Sequence, residues 1–349
     1  MIRIGLVGCG HIGTVHSFAI KQLVDAQLVD AAITATYDAD HARAAKTADH
    51  HGAAAARTLD ELLDSVDVVW VCTWTAAHLE PCEGAAERGL PIFCEKPLAP
   101  DLPTATRVAA ALERVPHQVG LVLRWAPVFR ACATRVASGE FGQVLGAVMR
   151  DDQYFPIQGF YGSTWRSDVA AAGGGTLIEH SIHDVDVLRF VLGQPVDVSA
   201  RLAYRFGYPG IEDLAALRFT YEDGAVAQLT SVWHQVLTRE STRRLEVFCE
   251  KAIMWTDDDY LGPLFVQSDE GTAVIESPAP SWADRLKVPE MYAKALAQYA
   301  EPTKAFLDAL AEDRSPAGYP PAGEALEAHR WVDAAYRSAA AGGVSVSAT

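Results

Sequence analysis

Residues 7–13, Val7-Gly8-Cys9-Gly10-His11-Ile12-Gly13, decide how the rest of the chain is read. The stretch MIRIGLV (residues 1–7) leads into them with the β-branched and small residues of a buried parallel strand. Residues 14–23 lead out with Val15, Phe18, Ala19 and Leu23 at helical spacing. A strand, a glycine turn and a helix are expected. In that setting Gly8 permits the tight turn, Gly10 lets a pyrophosphate approach bare backbone, and Gly13 lets the helix pack closely on the strand. The helix start offers unpaired N–H groups and its positive dipole end to phosphate. Gly8, Gly10, His11, Ile12 and Gly13 are therefore expected at a bound dinucleotide.

The rest of the first half continues the pattern. Residues 28–37 (LVDAAITATY) read as a second strand ending at Asp38, near the distance at which a carboxylate meets the adenosine ribose. Such a carboxylate accepts from both ribose hydroxyls and repels a 2′-phosphate, so NAD is expected in preference to NADP. The competing role, a turn residue or helix N-cap, is open to Asp38 and Asp40 alike. Thr58-Leu59-Asp60-Glu61 has capping-box spacing. Residues 66–73 (VDVVWVCT) form a continuous apolar run of the parallel-sheet kind, and residues 91–94 and 117–125 supply further strands. Between them, residues 81–88 and 103–114 read as crossover helices of a doubly wound α/β sheet. Ligands of such sheets lie beyond the carboxyl ends of the strands, which selects Asp38, Thr73-Trp74 and Glu95-Lys96-Pro97. A lysine ending a buried strand is unusual, and desolvation there lowers its pKa. Its structural alternative is an ion pair with Glu95.

Past Trp125 the composition changes. A helix over residues 127–137 stops at Gly139 and Gly142, and strand-like runs follow over 144–154, 196–206, 214–221, 225–234, 244–249 and 252–256, with Glu222-Asp223-Gly224 as a turn. Two domains are expected, 1–125 and 126–349, the second an α+β unit with a largely antiparallel sheet. Among its strands, Gly173-Gly174-Gly175 precedes TLIEHSIHDVDVLRFVLG, which reads as one helix ended by Gly193. On a continuous helix Glu179, His183 and Asp186 fall within about 60° of one another. Carboxylates beside an imidazole set its tautomer and raise its basicity. The alternative is a solvated polar face. His180, His183 and Asp184 could hold a metal, but no further ligand cluster accompanies them, so no metal is expected. The aromatic loop 151–172 carries Tyr154, Tyr161, Trp165 and Arg166 and is long enough to be functional. Core packing for Trp165 and a surface ion pair for Arg166 are the alternatives.

GCGHIG, VVWVCT, His78 and CEKPLA (residues 94–99) together resemble the family of glucose-fructose oxidoreductase, inositol dehydrogenase and MocA. The tail from Pro302 onward (PTKAFLDALAEDRSP, then GEALEAHRWVDAAYRSAAAGG) reads as two helices and resembles the family's C-terminal end, so the resemblance covers nearly the whole chain. It implies that Lys96 is catalytic and touches nicotinamide and substrate, and that Glu95 and His78 lie near the cofactor. It also implies that Glu179, His183 and Asp186 belong to the acid, histidine and aspartate series of the substrate helix. Trp165-Arg166 resembles a pair that many family members place against nicotinamide and substrate, and the resemblance implies an open-faced C-terminal sheet with a homodimer or homotetramer formed through it. Two departures stand out: Thr73-Trp74-Thr75 replaces Thr-Pro-Asn, putting Trp74 at the nicotinamide side, and Glu179 stands where inositol dehydrogenase-like members have aspartate.

Charge narrows the function further. The net charge of −16 over 349 residues repels nucleic acid and anionic membrane. Residues 1–7 belong to the fold and no apolar run reaches spanning length, so a cytoplasmic chain is expected. Cys9, Cys72, Cys82, Cys94, Cys132 and Cys249 form no CxxC and are expected as buried thiols. The expected activity is hydride transfer between nicotinamide and a hydroxyl-bearing carbon of a sugar, cyclitol or related polyol. In it His183 serves as base, Lys96 polarises the oxygen, Glu179 orients the pair, and Asp186, Arg124, Tyr154, Trp165 and Arg166 meet substrate. An NAD-binding sugar-responsive regulator and a redox-cycling lyase or glycosidase remain the alternatives.

Overall fold

In the computed structural model, which describes residues 1–314 and 318–348, the chain opens with the expected strand and helix, β1 (Ile2–Val7) and α1 (His11–Asp25). The strands that follow are β2 (Ala31–Tyr37), β3 (Ala54–Ala55), β4 (Val68–Val71), β5 (Ile92–Cys94) and β6 (His117–Val119). They form a parallel six-stranded sheet in the order β3-β2-β1-β4-β5-β6, a doubly wound arrangement. Its crossovers are α2 (His41–His51), α3 (Leu59–Leu63), α4 (Leu79–Glu87) and α5 (Leu102–Leu112). The apolar run of β4 is explained by burial on both faces. Val68 and Trp70 pack with Ile20 and Phe306, while Val69 and Val71 pack with Leu62, Ala85 and Val108. At α3, Thr58 Oγ1 accepts the Glu61 N–H at 3.1 Å; the reciprocal bond of the capping box goes instead from the Arg57 N–H to Glu61 Oε2 at 2.8 Å.

Chain division differs from the expected boundary in the tail. One compact unit comprises residues 1–99, 103–122 and 279–326; the other comprises 100–102, 123–278 and 327–349. Residues 279–326 therefore fold with the first unit. They carry α10 (Glu290–Ala311), which contains Pro302 in its interior rather than starting there. Pro302 removes one helical N–H, a local cost overridden by packing: Leu296 and Ala300 join Ala19 and Leu23 of α1 and its C-cap Ala26 in one apolar cluster. This second neighbour also explains why the buried face of α1 is not the apolar series expected. His16, Ser17 and Gln22 are buried and Phe18 is exposed.

The second unit contains α6 (Pro127–Ser138), capped by a left-handed Gly139, then β7 (Val144–Tyr154), α7 (Val169–Ala172), α8 (Thr176–Glu179) and α9 (Ile182–Leu192). The strands β8 (Asp197–Ala203), β9 (Leu214–Thr220), β10 (Val226–His234), β11 (Thr242–Cys249), β12 (Ala252–Thr256), β13 (Leu264–Ser268) and β14 (Gly271–Ile275) follow, and α11 (Ala322–Ala340) enters this unit at Glu327. The sheet order is β14-β13-β12-β11-β7-β10-β9-β8, antiparallel except for the parallel pair β7 and β10. Ala147, Met149, Leu217, Leu229 and Val247 on one sheet face pack against Phe129 of α6, Val185 and Leu188 of α9 and Trp331 of α11. Alternate residues such as Val148, Arg244 and Glu246 point the other way and are exposed.

Candidate active site

In the first unit the glycine turn has the geometry its residues require. Gly8 has φ +93°, and a Cβ there would lie 2.5 Å from the Cys72 carbonyl carbon; a Cβ on Gly13 would lie 2.1 Å from Gly8 O. Around Gly10 the space is open for 4 Å from the Cβ position, and Gly10 caps α1 without any side-chain bond to its first amides. The turn thus leaves room at Gly10, beside the amides of His11, Ile12 and Gly13, for a pyrophosphate. Asp38 is buried and accepts the N–H groups of Cys9 and Asp40, at 2.8 and 2.9 Å. The helix cap is Asp40, whose carboxylate accepts from Ala42 and Arg43. Asp38 therefore ties the second strand to the glycine turn, with the Arg43 guanidinium 3.8 Å away. These groups fit NAD.

Beyond β4, Thr73 is partly buried and Trp74 exposed, while His78 lies with Nε2 3.2 Å from Thr73 O and Nδ1 3.3 Å from Leu98 O. The His78 ring supports the loops after β4 and β5 from within and is itself buried. At the end of β5, Glu95 Oε1 is 2.6 Å from His16 Nε2, and Oε2 accepts the Lys96 N–H at 3.0 Å. Burial pushes the Glu95 carboxyl up, but the His16 hydrogen bond and the charges of His16 and Lys96 outweigh it and hold the group below the usual carboxylate range. Glu95 is thus bound to the Lys96 backbone and to a histidine of α1.

In the second unit the expected single helix is broken between Glu179 and Ile182. Ser181 N–H donates to Thr176 O at 2.8 Å, five residues back, and Asp184 N–H donates to Ser181 O at 2.9 Å, three back. The cause is in the side chains. Ser181 Oγ bonds Asp151 Oδ2 at 3.1 Å and Ser231 Oγ at 2.6 Å, and Ser231 also meets Thr176 Oγ1 at 2.6 Å. Glu179 therefore ends α8 and is not part of α9, which carries His183 and Asp186. Its carboxylate is 2 % exposed and accepts from Arg166 Nε at 3.0 Å, and the Arg166 guanidinium lies 4.3 Å from the Trp165 ring centroid. Arg166 is therefore paired with a buried acid, while Trp165 also packs with Phe155 and Trp233. Asp186 receives both arms of Arg124, Nε and Nη2, each at 2.7 Å, with Arg189 Nη1 at 3.4 Å. His183 is buried on the first turn of α9. Tyr154 OH accepts the Phe160 N–H at 3.2 Å, and its ring lies against Tyr161, which shapes the aromatic loop.

Behind these residues lies a charge cluster that sequence reading missed. Arg243 Nε donates to Asp184 at 2.8 Å, Nη2 is 2.8 Å from His180 Nε2, and Asp151 and Asp259 lie 3.6 and 3.4 Å away. His180 and Asp184 thus share an arginine, with Asp151 2.9 Å from His180 Nε2. Burial, and then the Asp151 charge, push the Asp184 carboxyl up to about 7; burial does the same for Asp259, to about 6. Glu212 was missed too: from the loop before β9 it accepts the N–H groups of Gly175 and Leu177 at 2.7 and 2.9 Å and the Tyr336 hydroxyl at 3.0 Å, so a distant carboxylate caps α8. No periodicity could show it. His16 had a signal, a polar residue one turn after Gly13. All six cysteines are free and buried.

Residues 2–121 match the oxidoreductase family with an NAD-binding Rossmann fold, and residues 129–254 match the GFO/IDH/MocA C-terminal domain. The chain is similar to inositol 2-dehydrogenase of Rhizobium meliloti (strain 1021), 35% identical over 212 residues, a match spanning 58% of this chain and 58% of the relative. It is also similar to the uncharacterized oxidoreductase YrbE of Bacillus subtilis (strain 168), 30% identical over 266 residues, or 73% of each chain. Levoglucosan dehydrogenase, solved with NADH and levoglucosan, shares the fold with a TM-score of 0.85 at 21% identity over 100% of both chains. With both halves matched in order along one polypeptide, the chain belongs to the Gfo/Idh/MocA family of oxidoreductases and carries its NAD-binding Rossmann domain.

Proposed function

We propose that the chain is an NAD-dependent dehydrogenase that oxidises a secondary hydroxyl of an uncharged sugar, cyclitol or related polyol. The observation that carries this reading is that both arginines assigned to substrate are held by carboxylates: Arg124 pairs with Asp186 and Arg166 with Glu179. Arginines already engaged by carboxylates present hydrogen-bonding edges rather than open anion-binding forks, which suits a neutral polyol better than an anionic acid. The inositol 2-dehydrogenases among the relatives support the same class. NAD, when bound, supplies the hydride acceptor. His183 removes the hydroxyl proton, and Lys96 holds the oxygen on which negative charge develops and relays that proton. Glu179 orients them, and its bond to Arg166 keeps its own carboxylate in one place. Tyr154 and Trp165 wall the substrate, and Asp38 selects the cofactor lacking a 2′-phosphate. Leu145 and Val148 are exposed on the outer face of the eight-stranded sheet, and a second copy covers that face in a homodimer or homotetramer.

A panel of neutral sugars and inositols beside their carboxylic acids, each with NAD or NADP and followed at the reduced-nicotinamide band, tests the reading. Net NADH from a neutral polyol is expected, and Lys96→Ala should lower kcat and kcat/KM together. Turnover without net NADH would point to a redox-cycling reaction, and preference for the acids would overturn the substrate class.

A further inference from the structure

His16 belongs neither to the glycine turn nor to the Glu-Lys-Pro run, yet it joins them. It stands on α1 one turn beyond Gly13, fully buried at 0 % exposure. Its ring is held between Phe93 of β5, at 4.7 Å between centroids, and Tyr299 of α10, at 5.6 Å. Nε2 points at Glu95 Oε1, 2.6 Å away. The carboxylate has little freedom to turn elsewhere: its other oxygen accepts the Lys96 N–H, and Gly120 is so close that a Cβ there would lie 2.7 Å from Oε1. A helix that begins at the cofactor turn is thereby connected, through one imidazole and one carboxylate, to the backbone of Lys96.

We propose that His16 is a positioning residue for Lys96, acting through Glu95 on both the placement of the lysine backbone and the charge that its ammonium feels. The inference rests on the proposed role of Lys96. Glu95 and Lys96 lie close enough for the lysine charge to act on the carboxyl, and the coupling is reciprocal, so whatever changes the Glu95 charge changes the lysine. His16 is the side chain that holds this charge in place. Other titratable groups around the pair are the Cys72 and Cys94 thiols and the Tyr299 hydroxyl. Burial pushes the Cys72 thiol up, and a hydrogen bond with Cys82, then burial, does so for Cys94, which leaves both thiols protonated at neutral pH.

The test compares His16→Leu, His16→Asn and His16→Gln, alone and in a Glu95→Gln background, by the pH profile of kcat/KM for the oxidation together with NAD affinity from fluorescence titration. Leucine has no donor and asparagine stops short of Oε1. Each should lower kcat by about tenfold or more, the scale on which a lost partner of a charged group is felt. Each should also displace the pH midpoint by about half a unit or more while NAD affinity changes about twofold or less. Glutamine, whose amide nitrogen reaches as far as Nε2, should restore most of the turnover and the wild-type midpoint. In the Glu95→Gln background the same substitutions should add little. Asparagine serves where leucine fails to fold. An unmoved midpoint with only melting temperature or NAD affinity altered, or full additivity with Glu95→Gln, would overturn the proposal. Lys96→Ala in the same assay separates the two readings. If it retains turnover, the role of Lys96 fails; if it loses turnover while the His16 variants behave as wild type, only His16 is removed.

Discussion

Replacing Arg124 with methionine tests whether Asp186 is held by protein or kept for substrate. The two side chains are 5% and 2% exposed and meet in two bonds of 2.7 Å, so substitution leaves a buried carboxylate with Arg189 still beside it at 3.4 Å. Removing one member of a buried pair costs about 3–5 kcal/mol. Arg189 compensates part of this, which sets the expected loss at the lower end, about 3 kcal/mol. For a unit of this size each kcal/mol corresponds to roughly 2–4 °C, so the melting temperature should fall by about 6–12 °C. Arg124→Met with Asp186→Leu removes both charges but also takes from the buried Arg189 the carboxylate at 3.4 Å, so it should recover only part of that loss. Thermal melts of the two single variants and the double variant give the coupling directly, and steady-state kinetics run beside them. A change of about 2 °C or less in Arg124→Met, with KM for substrate raised, would refute the reasoning and return Asp186 to direct substrate binding.

The wild type should bind NAD at least about tenfold more tightly than NADP, and Asp38→Ser should narrow that gap because Arg43, 3.8 Å from the carboxylate, is then available to a 2′-phosphate; tryptophan fluorescence titration with both cofactors decides it. His183→Ala should reduce turnover about 10²–10⁴-fold with NAD affinity nearly intact, and unchanged turnover in the folded variant would remove it as the base. Asp184, whose carboxyl is pushed up to about 7, favours the folded state most below the ordinary carboxylate pKa and loses that contribution as pH rises through about 7. Melting temperature should therefore decline from pH 5 to pH 8, with Asp259 adding to the slope, and Asp184→Asn should flatten it; a wild-type profile that rises over that interval contradicts the assignment.

The Rossmann part was legible because its signals are local. A strand, three glycines and a helix lie within 25 residues, and strands buried on both faces, such as β4, are apolar without interruption. What escaped depended on distant partners. The break at Ser181 goes with its bonds to Asp151 and Ser231, far away in sequence, so helical spacing alone wrongly joined α8 and α9 into one helix. Arg124 and Arg166 stood out in the sequence, but their pairing with Asp186 and Glu179 did not, because an arginine's partner is set by tertiary placement. Pro302 misled in the opposite sense: as a helix start it is reasonable locally, and only the packing of α10 on α1 shows why the helix runs through it. The edge strand β14 was missed because it is almost wholly exposed and carries no alternation, and its neighbour β13 was missed with it.

That residues 279–326 complete the first unit has a consequence for the order in which the chain can mature on the ribosome. A nascent polypeptide ending at residue 122 already contains every strand of the six-stranded sheet, yet Ala19 and Leu23 of α1 and its C-cap Ala26 still lack Leu286, Leu296 and Ala300, their apolar neighbours. At roughly 5–20 residues per second, synthesis of the intervening segment from 123 to 278 takes about 8–30 s. During that interval the nucleotide-binding fold carries an uncovered apolar flank, a ready surface for a chaperone or for self-association.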